Sequence, residues 1–403
     1  MPHRRNSLRD WAFAQTQLGG RPTQTRPIFK FKKSGGAGVS PERGAGRQPR
    51  SRSKFRTIGL LVTLCMLLVT PATAAERQVR LNYGLSHFIV STAAVFAVPK
   101  QAGFWKAEGL DVTLEGANGG SVALQQLATR QVQATITGVP SLMQVREKGA
   151  PVIAVASVYS GNPFFPVVLA TSPLKSIAAF KGKSVAVMSL SVSHVYWLRA
   201  ILKKEGVDPK DVTLVPVGSG VPAIHALRTG RVDAFEAFDG AYAEMEVQGA
   251  EFRKFDNLPY LKDLSFVQGF YVREDAVQAE PEMIVGLIRG VIKGIIFARE
   301  NPQAAVRLHW KEFPTSKPVG VDDATAMKNA LYVLAAQMKT LDPANFGRVT
   351  LDQVAASRDV LFDNGAIEKK LEAAAYYTDR FLDRANAFDR EAVKNAAREI
   401  KVQ

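Results

Sequence analysis

Cysteine is all but missing from this chain. Cys65 is the single one in 403 residues, and it sits in an apolar run near the N-terminus. Once that run is set aside no thiol remains, so disulfides, thiolate metal sites and cysteine nucleophiles are excluded together. Histidine is scarce too, with five residues that form no cluster in sequence; neither a metal nor a cofactor is expected. No Ser-His-Asp motif stands out, and no catalytic residue is assigned. Long apolar runs are also lacking. The longest, over residues 58–69, falls well short of the roughly 20 residues that a comfortable membrane span needs. The formal charge of +15 looks like an excess of one sign, but it is local. Residues 1–56 hold fourteen Lys or Arg against Asp10 and Glu42, so this stretch supplies +12 and leaves +3 for all the rest. The remainder shows no cluster of Lys and Arg interleaved with aromatics, and nucleic acid is not an expected partner.

The N-terminal region reads as two segments. Residues 1–49 are rich in Gly, Pro, Arg and Ser, a composition that cannot bury a core, and are expected to be a disordered extension. A start at Val39, from an alternative codon, would remove most of it. Residues 50–74 have the form of a secretory signal: the basic flank Lys54-Phe55-Arg56, the short apolar core, and Ala72-Thr73-Ala74 at the end. Cleavage is expected after Ala74, by the general secretion route, placing the mature protein in the periplasm. The roughly 330 residues that follow suffice for two lobes.

What is present in those residues is a repeat. The stretch from Gly119-Gly120-Ser121 to Val132-Gln133-Ala134 returns one hundred positions later, from Ser219-Gly220-Val221 to Val232-Asp233-Ala234. Without gaps, Gly120 falls on Gly220, Ala123 on Ala223, Leu127 on Leu227, Thr129 on Thr229 and Val132 on Val232. Each copy reads as a Gly-rich turn, a short amphipathic helix and a brief strand, an αβ unit used twice. Around the copies, apolar strands alternate with helical stretches, the pattern of parallel sheets. Strands are expected at 79–85, 112–114, 152–158, 167–170, 184–188, 212–215 and 266–272, and helices at 92–108 and 194–205. From residue 281 the period is helical, as in Met283, Leu287, Val291 and Ile295. Trp105, Phe164 and Phe165 read as core. The expected organisation is a first lobe of residues 75–171 and 265–403, the latter carrying C-terminal helices, and a second lobe of residues 172–264.

Three stretches then resemble a known family. Gly103-Phe104-Trp105-Lys106-Ala107-Glu108-Gly109-Leu110-Asp111-Val112, Phe180-Lys181-Gly182-Lys183-Ser184-Val185-Ala186-Val187 and Leu227-Arg228-Thr229-Gly230-Arg231-Val232-Asp233-Ala234 are similar, in that order, to motifs of solute-binding proteins of bacterial ABC importers. The group is the one that serves nitrate, sulfonates and taurine, and it also includes binders of thiamine-precursor pyrimidines. Where many members carry Glu-Pro after the second repeat, this chain has Asp239-Gly240. The resemblance implies an α/β fold of the type II periplasmic-binding class, with two Rossmann-like lobes, a two-segment hinge and a helical C-terminal region. It also implies a small-molecule ligand, an ABC permease and ATPase as partners, and a monomer.

In open α/β sheets ligands sit beyond the carboxyl ends of the strands, so the turns there are the candidates. They are Ser86 and His87; Gly119, Gly120 and Ser121; Gly138 and Ser141; Ser189, Ser191, Ser193 and His194; Gly218, Ser219 and Gly220; and Asp239. Most are Gly or Ser at expected helix starts, where backbone N–H groups suit an anion. The function expected is capture of a small organic anion of the sulfonate, nitrate or carboxylate type. Two alternatives stay open: a pyrimidine, thiamine precursor or other heterocycle as ligand, to which Asp239 would supply an acceptor, and an enzyme on the same fold acting on a small metabolite.

Overall fold

The computed structural model describes residues 75–400; the extension and the signal segment lie outside them. The chain first lays down β1 (Arg77–Tyr83), β2 (Leu110–Gly116), β3 (Ala134–Gly138) and β4 (Val152–Ser157). Between these strands run the short helices α1 (Ala97–Gln101) and α2 (Phe104–Ala107), then α3 (Gly120–Ala128) and α4 (Val139–Glu147). A second set follows: β5 (Phe164–Leu169), β6 (Ser184–Val187), α5 (His194–Lys204), β7 (Thr213–Pro216), α6 (Val221–Arg228), β8 (Ala234–Phe238), α7 (Asp239–Glu246) and β9 (Phe252–Lys254). Then β10 (Gln268–Arg273) leads into α8 (Ala276–Ala279), α9 (Pro281–Glu300), α10 (Pro302–Glu312), α11 (Asp323–Met338), α12 (Leu351–Asp363), α13 (Leu382–Asn386) and α14 (Arg390–Glu399).

The strands form two five-stranded sheets of the same plan, ordered β2-β1-β3-β10-β4 and β7-β6-β8-β5-β9. In each, the first three strands are parallel and the fourth is antiparallel to both neighbours. The repeat seen in the sequence is the centre of this plan. The unit α3-β3-α4 returns as α6-β8-α7, with β3 and β8 one hundred residues apart at both ends. Helices cover the sheet faces, so all five residues of β3 and of β8 are buried, as strands of doubly covered sheets are.

The fold departs from the sequence expectation in two places. β5 pairs with β8 and β9, so the first crossing between sheets falls between Ser157 and Phe164 rather than near residue 171. The sequence placed the crossing at Ser172-Pro173 because that pair breaks the apolar pattern, but the break only ends β5. The helix expected over 92–108 is interrupted at Gly103, whose left-handed φ of 74° separates α1 from α2 and turns Trp105 into the core, where it is 1% exposed.

Candidate binding cleft between the lobes

The two sheets meet at a cavity lined by Tyr83, Gly84, Leu85, Thr137, Gly138, Tyr159, Phe164, Val192, Ser193, His194, Phe238 and Gln268. Tyr83, Thr137, Gly138 and Phe238 come from the carboxyl ends of parallel strands, as expected for an open α/β sheet. Phe164 and Gln268 arrive differently. Each is the first residue of an antiparallel strand, and it lies beside the last residue of its parallel neighbour, Phe164 opposite Phe238 and Gln268 opposite Gly138. A search confined to the turns after strands passes over both. Phe164, read as plain core from sequence, is instead a wall of the cavity.

The walls are aromatic. The His194 ring is stacked on Phe164 at 5.4 Å between centroids and 8° between planes, while Tyr159 and Phe238 each meet Phe164 edge-on at 6.4 Å. Behind His194 lies Glu236, fully buried in β8, with Oε2 2.5 Å from His194 Nδ1. Burial pushes the Glu236 carboxyl above its ordinary range, and the attraction of His194 works against that. Among the described residues His194 Nε2 and Glu236 Oε1 have no hydrogen-bond partner. Across the cavity burial raises the Tyr83 phenol, with the Gln268 amide acting in the opposite sense. The lining contains neither Lys nor Arg. The helices α4 and α5 both begin at the cavity, at Gly138-Val139 and Ser193-His194.

Around this cavity the lobes touch. Ser141 Oγ and Ser193 Oγ are 2.8 Å apart and buried, and Ser191 Oγ donates to the Asn118 carbonyl at 3.3 Å, with Ser189 Oγ 2.7 Å from Ser191 Oγ. The glycines opposite make this approach possible. A Cβ on Gly138 would lie 2.3 Å from Ser193 Cβ, one on Gly120 would lie 2.6 Å from Ser193 Oγ, and one on Gly119 2.7 Å from Ser191 Oγ.

Of the residues singled out from sequence, Gly138, Ser193 and His194 therefore line the cavity, and Gly119, Gly120, Ser141, Ser189 and Ser191 form the contact beside it. The others lie elsewhere. Ser86 and His87 are exposed and open onto a separate pocket with Trp310, Phe313 and Glu244. Ser121 is exposed on α3, and Gly218, Ser219 and Gly220 form the turn between β7 and α6, outside the lining. Asp239 starts α7 half-buried, and it too is outside the lining. Spacing could not separate these residues, because every strand of a parallel sheet ends in a similar turn and only some of the turns face the partner lobe. Glu236 did leave a signal: a lone carboxylate in the middle of the apolar strand Ala234–Phe238.

The fold has counterparts in solved structures. The alkanesulfonate-binding protein SsuA of Xanthomonas axonopodis pv. citri, bound to MOPS, matches 76% of this chain and 99% of its own, at 16% identity and a TM-score of 0.58. The desulfurization enzyme DszB matches 77% of this chain and 98% of its own, at 16% identity and a TM-score of 0.52, so the same fold also carries catalysis. At these identities the likeness is one of fold, that of periplasmic binding proteins. Among relatives by sequence, a Haemophilus influenzae protein named for thiamine biosynthesis is 25% identical over 293 residues, 70% of this chain and 87% of the relative. The formylaminopyrimidine-binding protein of Halalkalibacterium halodurans is 23% identical over 263 residues, 63% of this chain and 78% of the relative. Residues 91–305, more than half of the chain and every strand of the two sheets except β1, match the family described as NMT1/THI5 like, and the protein belongs to that family.

Proposed function

We propose that this protein is the extracytoplasmic binding component of an ABC importer, and that it captures a small planar heteroaromatic molecule between its lobes for delivery to a membrane permease and ATPase. One observation carries the ligand class. The interlobe cavity is walled by Tyr83, Tyr159, Phe164 and Phe238 and has a single stacked imidazole, without any cationic side chain. With the lobes as they stand the cavity has room for about 30 Å³, so a ligand enters only when they part. A flat ring taken up between these walls would bury apolar area and make offset or edge contacts, each aromatic pair adding about 0.5–1.5 kcal/mol beyond burial. The relatives named for thiamine biosynthesis and for a formylaminopyrimidine point the same way. The anion expected from sequence would find no Lys or Arg here, only neutral donors: the Thr137 and Ser193 hydroxyls, the two phenols, the Gln268 amide, the His194 ring and the starts of α4 and α5. Those donors favour a ring that carries an accepting group, and a free sulfonate or nitrate is the second reading.

Binding rather than turnover is part of the proposal, as is export to the periplasm by the segment 50–74. The segments 158–163 and 255–267, which carry the chain between the sheets, would serve as the hinge, and residues 172–264 with β5 as the second lobe.

Thermal shift and calorimetry test the ligand class. An aminopyrimidine, thiamine, riboflavin, taurine, an alkanesulfonate and nitrate are each titrated against the purified protein. A true ligand at a hundred times its dissociation constant stabilises by about 2.7 kcal/mol. Stabilisation by an aromatic heterocycle, with the compound recovered unchanged, is the expected result. Stabilisation by sulfonate or nitrate alone overturns the ligand class, and conversion of the bound compound overturns the binding-only role.

A further inference from the structure

The His194–Glu236 pair is an unusual thing to bury. Glu236 is 0% exposed and His194 5%. In the first lobe the position one hundred residues earlier in the repeat is Ile136, 1% exposed in the middle of β3. The same strand in the same plan is therefore completed by an aliphatic side chain, and the fold does not require a carboxylate there. A buried carboxylate costs several kcal/mol unless it is paired. Glu236 is paired, but through one oxygen and to one nitrogen, and the pair ends at His194 Nε2, a buried atom without a partner among the described residues, on a ring that lines the cavity.

Counting protons shows what that end presents. If the pair holds a single proton, it carries a full negative charge inside the protein, and the low-dielectric surroundings oppose this. With one more proton the pair is neutral overall. The inner proton then lies between Oε2 and Nδ1, on either atom, and the outer one sits on Nε2. Both placements leave Nε2 as a donor; the remaining one, a proton on Glu236 Oε1 with Nδ1–H donating to Oε2, buries a hydroxyl that has no acceptor and is disfavoured.

We propose that His194 Nε2 is the hydrogen-bond donor that selects the ligand, admitting planar heteroaromatics with an in-plane acceptor such as a ring nitrogen or ring carbonyl, and that Glu236 is the positioning residue that fixes its tautomer. This rests on the heteroaromatic reading given above. An acceptor-free ring of the same shape leaves the buried N–H without a partner, which disfavours it by roughly ten- to a hundredfold.

Two measurements on the full chain test it. The first is nitrogen NMR with labelled histidine, in which the His194 signals are assigned by their loss in His194→Phe. The expected Nε2 resonance is of the protonated, pyrrole type; a pyridine-type Nε2 overturns the donor. The second compares the affinity for an aminopyrimidine with that for the aniline in which both ring nitrogens are replaced by CH. Wild type should prefer the pyrimidine by roughly ten- to a hundredfold. His194→Phe, which keeps a ring to stack on Phe164, should lose that preference, while His194→Gln, which keeps an N–H, should recover part of it. Glu236→Met should weaken the preference and split the His194 signals between tautomers. If Glu236→Met does not fold, the two His194 variants decide. A preference that survives in His194→Phe overturns the assignment. Binding of neither probe by the wild type overturns the ligand class together with the proposed function, whereas a pyridine-type Nε2 in a protein that does bind the pyrimidine overturns the donor alone.

Discussion

Asp239 opens a helix, a place where a carboxylate is normally stabilised by the helix N-terminus. Here burial wins. It raises the Asp239 pKa from 3.8 to about 6, against the attraction of Lys254 and Lys339, with Asp256 and Glu246 adding to the rise. The native state thus binds a proton more tightly than the unfolded chain does. Its contribution is fully present below pH 3.8 and is lost as pH rises through about 6. Asp239→Asn should therefore raise stability at pH 7 by roughly 1–3 kcal/mol, the neutral amide escaping the desolvation cost. Melting curves from pH 3.5 to 7.5 check this: the variant and wild type should converge at the acid end and separate above pH 6. Equal melting at every pH would remove the burial argument. The sequence pointed to Asp239 as a cleft residue because it follows a strand, and passed over Glu236 within the strand. Residue type and spacing mark both as odd; which one backs the cavity depends on the face of β8 that meets α5.

At the scale of the element, α9 shows packing overriding propensity. Met283, Leu287, Val291 and Ile295 all point into the core, as their period implies. Gly286, Gly290 and Gly294 form a second stripe, which the same period leaves unexplained. In three dimensions it lets α9 lie directly against its neighbours. A Cβ on Gly290 would fall 2.2 Å from Trp105 Cδ1, and one on Gly294 2.3 Å from the Ala94 carbonyl. Trp105 donates to the Leu287 carbonyl at 3.0 Å, and Glu108 takes Arg289 and Lys293 at 2.7 and 2.8 Å. Gly290→Ala would gain about 1 kcal/mol in helix propensity. The clash with a fully buried indole costs more, about 1–3 kcal/mol once neighbours shift. A net loss of stability is expected in chemical denaturation, with the circular dichroism of the folded state unchanged. A more stable variant would mean that α9 has room to move.

For the whole molecule, the contact between lobes depends on glycines of one lobe that face serines of the other. Gly138 has φ of −71°, open to any residue, so alanine there brings no backbone strain. What alanine does is place a methyl group 2.3 Å from Ser193 Cβ on the opposite lobe. Gly138→Ala should leave unliganded stability within about 1 kcal/mol of wild type, since the Gly-to-Ala change also lowers the entropy of the unfolded chain. It should weaken ligand binding by tenfold or more, because the closed arrangement is penalised and the lobes are not. Small-angle scattering with ligand should show a larger radius of gyration than for wild type. Unchanged affinity and radius would show that closure does not bring Gly138 against Ser193.

By itself the sequence determined the repeated αβ unit, the alternation of strands and helices, the helical C-terminal region and the motifs that resemble binding proteins. All of these are local. Apolar period, turn glycines and β-branched runs act between residues a few positions apart, and the chain states them directly. Only the tertiary structure decided that β5 and β10 run antiparallel beside β8 and β3, bringing Phe164 and Gln268 to the cleft from the wrong end of their strands as sequence would count it. It alone joined Glu236 to His194 across 42 positions and separated His87 from His194. A site between two lobes is a set of long-range coincidences, and its members share a surface only after both sheets have formed and closed on each other.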